Sequence, residues 1–380
     1  MKVVVAIDSF KGSLSSLEAG NAAAMGIWRA DSQADVQVSP LADGGEGTLD
    51  ALVQGLHGQI QTVTVMGSIG QPVCCRYGWI PDKQTAIIEM SGAAGITLVP
   101  RDQLNPRLAT TYGVGEVIRD AIGKGCRKFI VGLGGSATND GGVGMLQALG
   151  FGFLNANGNP IPLGAAGLEQ LDHISLVNVL PELSKCSFRI ACDVTNPLCG
   201  ENGASAVYGP QKGADPSMIS ELDQWLSRYA ALTKEVNPNA DPTFPGAGAA
   251  GGLGFGFLAY TNAQLESGIQ IVIDATNLKE KIAQADLVVT GEGRMDEQTA
   301  MGKGPGGVAQ MAKSLGKPVI AFAGCVTPGA SVCNQNGIDA FFPILRTVST
   351  LDEALKPENA TQNLADTAEQ VFRLLKLKIH

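Results

Sequence analysis

The sequence predicts an α/β protein of two domains, one Rossmann-like or flavodoxin-like with a mainly parallel sheet, the other with a mixed sheet. Three observations carry this. Short β-branched apolar runs recur along the chain; several are separated by stretches with the apolar period of a helix; and one segment, 61 to 90, breaks that alternation. With 380 residues, 44% of them hydrophobic, the chain is long enough for two separate cores.

From the N-terminus, VVVAI (3–7) is a continuous apolar run, as expected of a strand buried on both faces. Ser15 with Glu18 forms a capping box for the helix that follows, and VQV (36–38) is the second strand. TVTV, VCCRYGWI and TAIIEM then succeed one another with only turn residues between them, the pattern of an antiparallel meander and the entry to the second domain. Val114, Val117, Ile118, Ala121 and Ile122 keep helical spacing behind Thr110 and Thr111 as candidate caps. AIIEM (86–90), FIVGL (129–133), RIAC (189–192), IQIVI (269–273), LVVT (287–290) and VIAFA (319–323) read as buried strands, and FIVGL fits either sheet. GVGMLQAL is a candidate helix behind GGSAT. Asp215-Pro216 opens a helix carrying Ile219, Leu222, Leu226 and Tyr229; Pro305 opens one carrying Val308, Met311, Ala312 and Leu315, closed by Gly316. The simplest partition gives residues 1–60 and 265–380 to a discontinuous Rossmann-like domain and 61–264 to the domain with the mixed sheet.

Charge and composition narrow the function. The net charge is −9 and the bases are scattered, which argues against nucleic acid or an anionic membrane as partner. MKVVVAIDSF is too short in its apolar part for a signal peptide, so a cytoplasmic location is expected. Pro242–Leu265 lacks charge but is weakly hydropathic and glycine-rich, and reads as a loop and a buried segment. The eight cysteines form no CxxC pair and read as small buried hydrophobes in a reduced compartment. Three histidines, His57, His173 and the terminal His380, make a His-dependent triad a poor fit, leaving carboxylates, lysines and backbone amides as the available chemistry.

That chemistry collects after strands, where an open parallel sheet places its ligands: DSFKGS, ADGGEGT, GGSATNDGG, DVTNPLCGENGA and GEGRMDEQT. GAGAAG (246–251) is a literal GxGxxG, but no strand precedes it, so a nicotinamide enzyme is the weaker reading. GGSAT before a helix would offer amides and hydroxyls to a phosphate. No GxxxxGK[ST] is present, which excludes a Walker-type site. Lys11, Lys212, Lys303 and Arg294 lie beside or near loop glycines as bases for an anion; Asp8, Asp43, Glu46, Asp140, Asp193, Glu292 and Asp296 are loop acids suited to Mg²⁺ and to proton transfer. A non-enzymatic two-domain binding protein remains the alternative from another class.

DSFKGS, PLADGGEGT, GGSATNDGG, DVTNPLCGENGA with GPQKG, GAGAAGGLG and TGEGRMDEQTAMGKGPGGVA together resemble the bacterial glycerate kinase family, type I, the glyoxylate and glucarate pathway group, from residue 1 to about 345. The resemblance implies ATP-dependent phosphorylation of D-glycerate with Mg²⁺ by two α/β domains around a cleft. The product it implies is 2-phosphoglycerate, with 3-phosphoglycerate open as the alternative. It points to Asp8, Ser9, Lys11, Asp43, Glu46, Ser136, Asp193, Asn196, Lys212, Glu292 and Asp296. On that basis the expected substrate contacts are Ser9, Lys11, Arg294 and Asn196. The ATP phosphates are expected on Gly134, Gly135, Ser136, Ala137, Thr138 and Lys212, and Mg²⁺ on two of Asp43, Glu46, Glu292 and Asp296. Asp193 is the expected base, with Asp8 and Lys11 beside it in the catalytic set; domain closure would exclude water. A homodimer is compatible with the sequence, which does not fix the oligomeric state.

Overall fold

All but one of the apolar runs form strands in the computed structural model, which describes residues 1–302 and 304–377. In chain order the strands among these residues are β1 (Lys2–Ile7), β2 (Asp35–Val38), β3 (Gln59–Met66), β4 (Pro72–Ile80), β5 (Thr85–Glu89), β6 (Lys128–Gly132) and β7 (Gly152–Leu154). They continue with β8 (His173–Ser175), β9 (Ser187–Ala191), β10 (Ala263–Glu266), β11 (Leu287–Met295), β12 (Val319–Val326) and β13 (Ala340–Pro343). The chain divides into two units: Met1–Asp43, Asp50–Leu56 and the chain from Ile269 on form the first; Gly44–Leu49 and His57–Gly268 form the second.

The first unit carries a five-stranded sheet in the order β13-β12-β11-β1-β2, parallel throughout, with Val5 opposite Val289 and Val289 opposite Ile320. The three central strands are buried on both faces, which is why their sequences are continuous apolar runs. The helix Ser16–Ala30 starts at the expected capping box: Ser15 Oγ accepts from Glu18 N, and Glu18 Oε2 accepts from Ser15 N at 2.8 Å. It crosses the helix Pro357–Leu375 so closely that a Cβ on Gly26 would collide with the Ala365 carbonyl oxygen.

The second unit carries a six-stranded sheet, β10-β9-β6-β5-β4-β3, and a small β7-β8 ribbon. Strands β10, β9, β6 and β5 are parallel, and β4 and β3 continue as the expected antiparallel meander. Phe129 and Phe188 stack across β6 and β9 at 4.7 Å between ring centres. The helix Pro216–Val236 is capped by Asp215, whose carboxylate accepts from Met218 N at 2.8 Å.

Three expectations about local structure change. IQIVI lies in a helix, Gly268–Ala275, with Ile269, Ile271, Val272 and Ile273 buried. Gln270 and Asp274, four apart and hydrogen-bonded at 2.7 Å, form its polar stripe. GGSAT does not open a helix, because Gly141 and Gly142 adopt positive φ and the short helix Val143–Ala148 begins beyond them. Thr111 stands at the N-cap of the helix Tyr112–Gly123 without capping it; its hydroxyl is directed to Asp140.

The GAGAAG stretch turns at Ala250, Gly251 and Gly252, all at positive φ, and a Cβ on Gly251 would collide with the Thr138 carbonyl oxygen. The turn packs against the loop after β6. All eight cysteines are free; Cys74 and Cys325 are exposed, contrary to the expectation of buried hydrophobes. No helix among the described residues is long and apolar enough to cross a membrane.

Candidate active site

In the first unit the parallel sheet brings the loops after β1 and along β11 and β12 to one edge. Asp8 N donates to the Gly291 carbonyl at 2.8 Å, which ties the first residue beyond β1 to β11. The chain then closes a tight turn: Phe10 N donates to Leu14 O at 2.8 Å, with Gly12 at positive φ. A cavity of about 550 Å³ opens here, and Asp8, Ser9, Lys11 and Asp43 line it together with Glu292, Arg294 and Asp296. Seven of the expected site residues are thus brought together.

The acids are unlike ordinary surface carboxylates. Burial, and then the Asp43 charge, push the Asp8 carboxyl up to about 6. Burial raises Glu292 to about 7, reinforced by the charges of Asp8 and Asp296 and opposed by a 2.5 Å hydrogen bond from Thr299 Oγ1. Asp296 caps the turn Glu297–Met301: its carboxylate accepts from Gln298 N at 2.9 Å, and its own N–H donates to Thr299 Oγ1. Arg294 reaches Asp296 at 3.7 Å but is 68% exposed, so the pair contributes little and the guanidinium is presented to solvent. Lys11 is exposed as well. A Cβ on Gly304 would lie 3.1 Å from Asp8 Oδ2, and one on Gly324 would strike the Gly293 carbonyl, so glycine is needed where the backbone approaches this edge.

The second unit holds the remaining expected residues. Only Gly134 and Gly135 of the loop after β6 are exposed; Ser136, Ala137 and Thr138 are buried. Lys212 is 1% exposed, and its ammonium donates to Ser136 Oγ at 2.9 Å and to the Thr138 carbonyl at 2.6 Å. Burial lowers its pKa to about 7, while the Asp140 charge pulls it back up. Asp140, completely buried, accepts from Thr111 N at 2.8 Å, Thr111 Oγ1 at 2.9 Å, Gly142 N at 3.1 Å and Gly144 N at 3.2 Å. Lys212 and Asp140 therefore hold the glycine loop from within, whereas the sequence placed Lys212 among bases offered to an anion.

Asp193 lies beyond the carboxyl end of β9, half-buried, its Oδ1 accepting from Gly268 N at 3.3 Å. Asn196 is engaged within its own loop, donating to Asn202 O at 2.8 Å and accepting from Tyr208 Oη at 2.7 Å. Glu46 is exposed. Lys303 lies outside the described residues. Thr299 escaped the sequence reading, although the spacing Asp296-x-x-Thr299 is a cap-like signal. So did the cavity's apolar side, Ile344, Leu345, Leu351 and Leu355, which follows no period that singles it out.

Mg²⁺ takes hard oxygen ligands, keeps several waters, and is commonly bound through one or two carboxylates plus substrate phosphates. Among the described residues no three His, Cys, Asp or Glu side chains are grouped to hold an ion unaided. The cavity's acids are oxygen donors of the kind that fits a Mg²⁺ arriving with phosphate.

A model of the glycerate kinase family matches residues 3–376. A glycerate kinase of Haemophilus influenzae is 47% identical over all 380 residues, covering both chains completely. A glycerate 2-kinase of Escherichia coli K12 is 46% identical over 372 residues, covering 97% of this chain and 98% of that one. A crystal structure from Salmonella typhimurium LT2, assigned as a glycerate kinase 2, superposes with a TM-score of 0.92 at 47% identity, covering 99% of this chain and 98% of that one. The chain belongs to the glycerate kinase family, enzymes that transfer a phosphoryl group to glycerate.

Proposed function

We propose that the protein transfers the γ-phosphoryl group of ATP to the 2-hydroxyl of D-glycerate in the cytoplasm, with Mg²⁺, giving 2-phosphoglycerate and ADP. The observation that carries this reading is the cavity at the strand ends of the first unit, where four carboxylates meet Lys11 and Arg294. The 2-position is supported by the likeness to the Escherichia coli glycerate 2-kinase.

Phosphoryl transfer demands little covalent chemistry from the protein; positioning and charge stabilisation do most of the work. Lys11 and Arg294 supply cations for anionic groups of the substrates, and Ser9 a hydroxyl beside them. Glu292 and Asp296, with Asp43, offer oxygen ligands to Mg²⁺, which when bound offsets charge on the phosphates. An acid at a strand end accepts the hydroxyl proton: Asp193 after β9 is the first candidate and Asp8 after β1 the second. Single Asn variants tell them apart.

The test is a coupled assay with MgATP, D-glycerate, enolase, pyruvate kinase, lactate dehydrogenase and NADH, without phosphoglycerate mutase. Immediate NADH loss is expected and identifies 2-phosphoglycerate as the product. Loss only after mutase is added would assign the 3-phosphate. Silence in both, with verified coupling enzymes, would refute glycerate as substrate.

A further inference from the structure

The cavity of the first unit is two-sided, and its second side has no use for a three-carbon acid. One end is charged, with Lys11, Arg294 and the acids. The other is apolar: Ile344 and Leu345 follow β13, while Leu351 and Leu355 come from the short helix Leu351–Leu355. Leu345 is 42% exposed and Leu351 72%. Single exposed leucines are ordinary, but these line one cavity together with the cations. The wall is also held in place. Thr350 Oγ1 accepts from Glu353 N at 3.3 Å, and Asn359 Nδ2 donates to the Glu353 carbonyl at 2.8 Å.

A ligand matching both ends is long, with a flat apolar head and an anionic tail. A volume of about 550 Å³ suits a molecule of nucleotide size, since such sites run from ~300 to ~1,000 Å³. Asn363, on the same lining, offers an amide to the edge of a base. Gly293 and Gly324 are also on the lining, at points where a Cβ would press on neighbouring backbone. The loop after β6, expected from sequence to hold the phosphates, exposes only Gly134 and Gly135.

We propose that this cavity is the nucleotide site, with the purine on the Leu345, Leu351 and Leu355 wall and the phosphates toward Lys11 and Arg294. The proposal rests on the reading that ATP is the phosphoryl donor, and it places ATP on the first unit rather than on the 134–138 loop.

Photolabelling the full-length protein with 8-azido-ATP and Mg²⁺, followed by peptide mapping, tests it directly. Label is expected within residues 344–363, suppressed by excess ATP and not by D-glycerate. ATP-protected label on 133–140 or elsewhere, no ATP-protected label at all, or equal protection by glycerate would overturn it. Leu351→Ser supplies a second readout, because a side chain so exposed can be replaced without unfolding the chain. The KM for ATP should rise about tenfold, as expected for one lost leucine contact, while the KM for glycerate stays within about twofold. An unchanged KM for ATP would refute the placement. Label on the wall without glycerate turnover would retain the nucleotide site and refute only the acceptor.

Discussion

Replacing Asp140 by Asn tests whether the glycine loop after β6 is held from within. Both carboxylate oxygens are buried and used: Oδ2 accepts from Thr111 N, Thr111 Oγ1, Gly144 N and, at 3.4 Å, Thr110 Oγ1, and Oδ1 from Gly142 N and, at 3.2 Å, the shared Thr111 Oγ1. An asparagine can keep an oxygen at the Oδ2 position, but its NH₂ then faces the Gly142 N–H, donor against donor. The bond from Gly142 N is lost, with the long branch of the Thr111 hydroxyl to Oδ1, and those to Oδ2 weaken from charged to neutral strength, from ~1.5–3 to ~0.5–1.5 kcal/mol each. The ammonium of Lys212 also loses the nearby charge that favours its protonated form. Against this, the neutral amide no longer bears the desolvation that pushes the Asp140 carboxyl upward. These contributions overlap, and the expected net loss is on the order of 3 kcal/mol, within the range for breaking a buried charged network. Trp79 and Trp225 lie in the second unit and Trp28 in the first, so urea unfolding followed by tryptophan fluorescence in a Trp28→Phe background reports on the second unit. A loss below about 1 kcal/mol with an unchanged urea dependence would show that Asp140 is not the anchor.

Three further outcomes are expected. Gly26→Ala would force the helices Ser16–Ala30 and Pro357–Leu375 apart, costing ~1–3 kcal/mol by overpacking; an unchanged Tm would refute the close crossing. Lys212 is depressed to about 7 in the folded protein but ordinary when unfolded, so the unfolded state binds more protons from about pH 7 up to its ordinary value of 10.5. Stability relative to Lys212→Met should therefore rise with pH across that window, and a flat or falling difference in urea unfolding would contradict the buried assignment. Asp193→Asn should cut turnover by orders of magnitude with a modest change in nucleotide affinity, whereas near-normal kcat would move the proton-accepting role to Asp8, testable by Asp8→Asn.

What the sequence made legible follows from the range of the interaction behind each signal. The Ser15–Glu18 box and the Asp215 cap span three residues and form as expected. The helix Gly268–Ala275 reads as a strand because a run as short as IQIVI carries no period that separates a buried strand from a buried helix; only Gln270 inside the run and Asp274 just after it, four apart, mark the helix. Strand ends pointed to Asp8 and Asp296, just beyond β1 and β11, whereas Glu292, expected in a loop, lies within β11; parallel pairing brings all three to one edge. Lys11 in SFKGS and Lys212 in GPQKG then mark the limit. Each is a lysine beside a loop glycine, and nothing local tells them apart. Lys11 lies in the tight turn after β1 and stays exposed. Lys212 ends a short turn, Pro210–Lys212, and its ammonium meets Ser136 Oγ across 76 positions of chain. Whether a loop base faces a ligand or the interior is decided by that distant partner, so the pattern that proposes an anion site equally proposes its anchor, and burial is the observation that separates them.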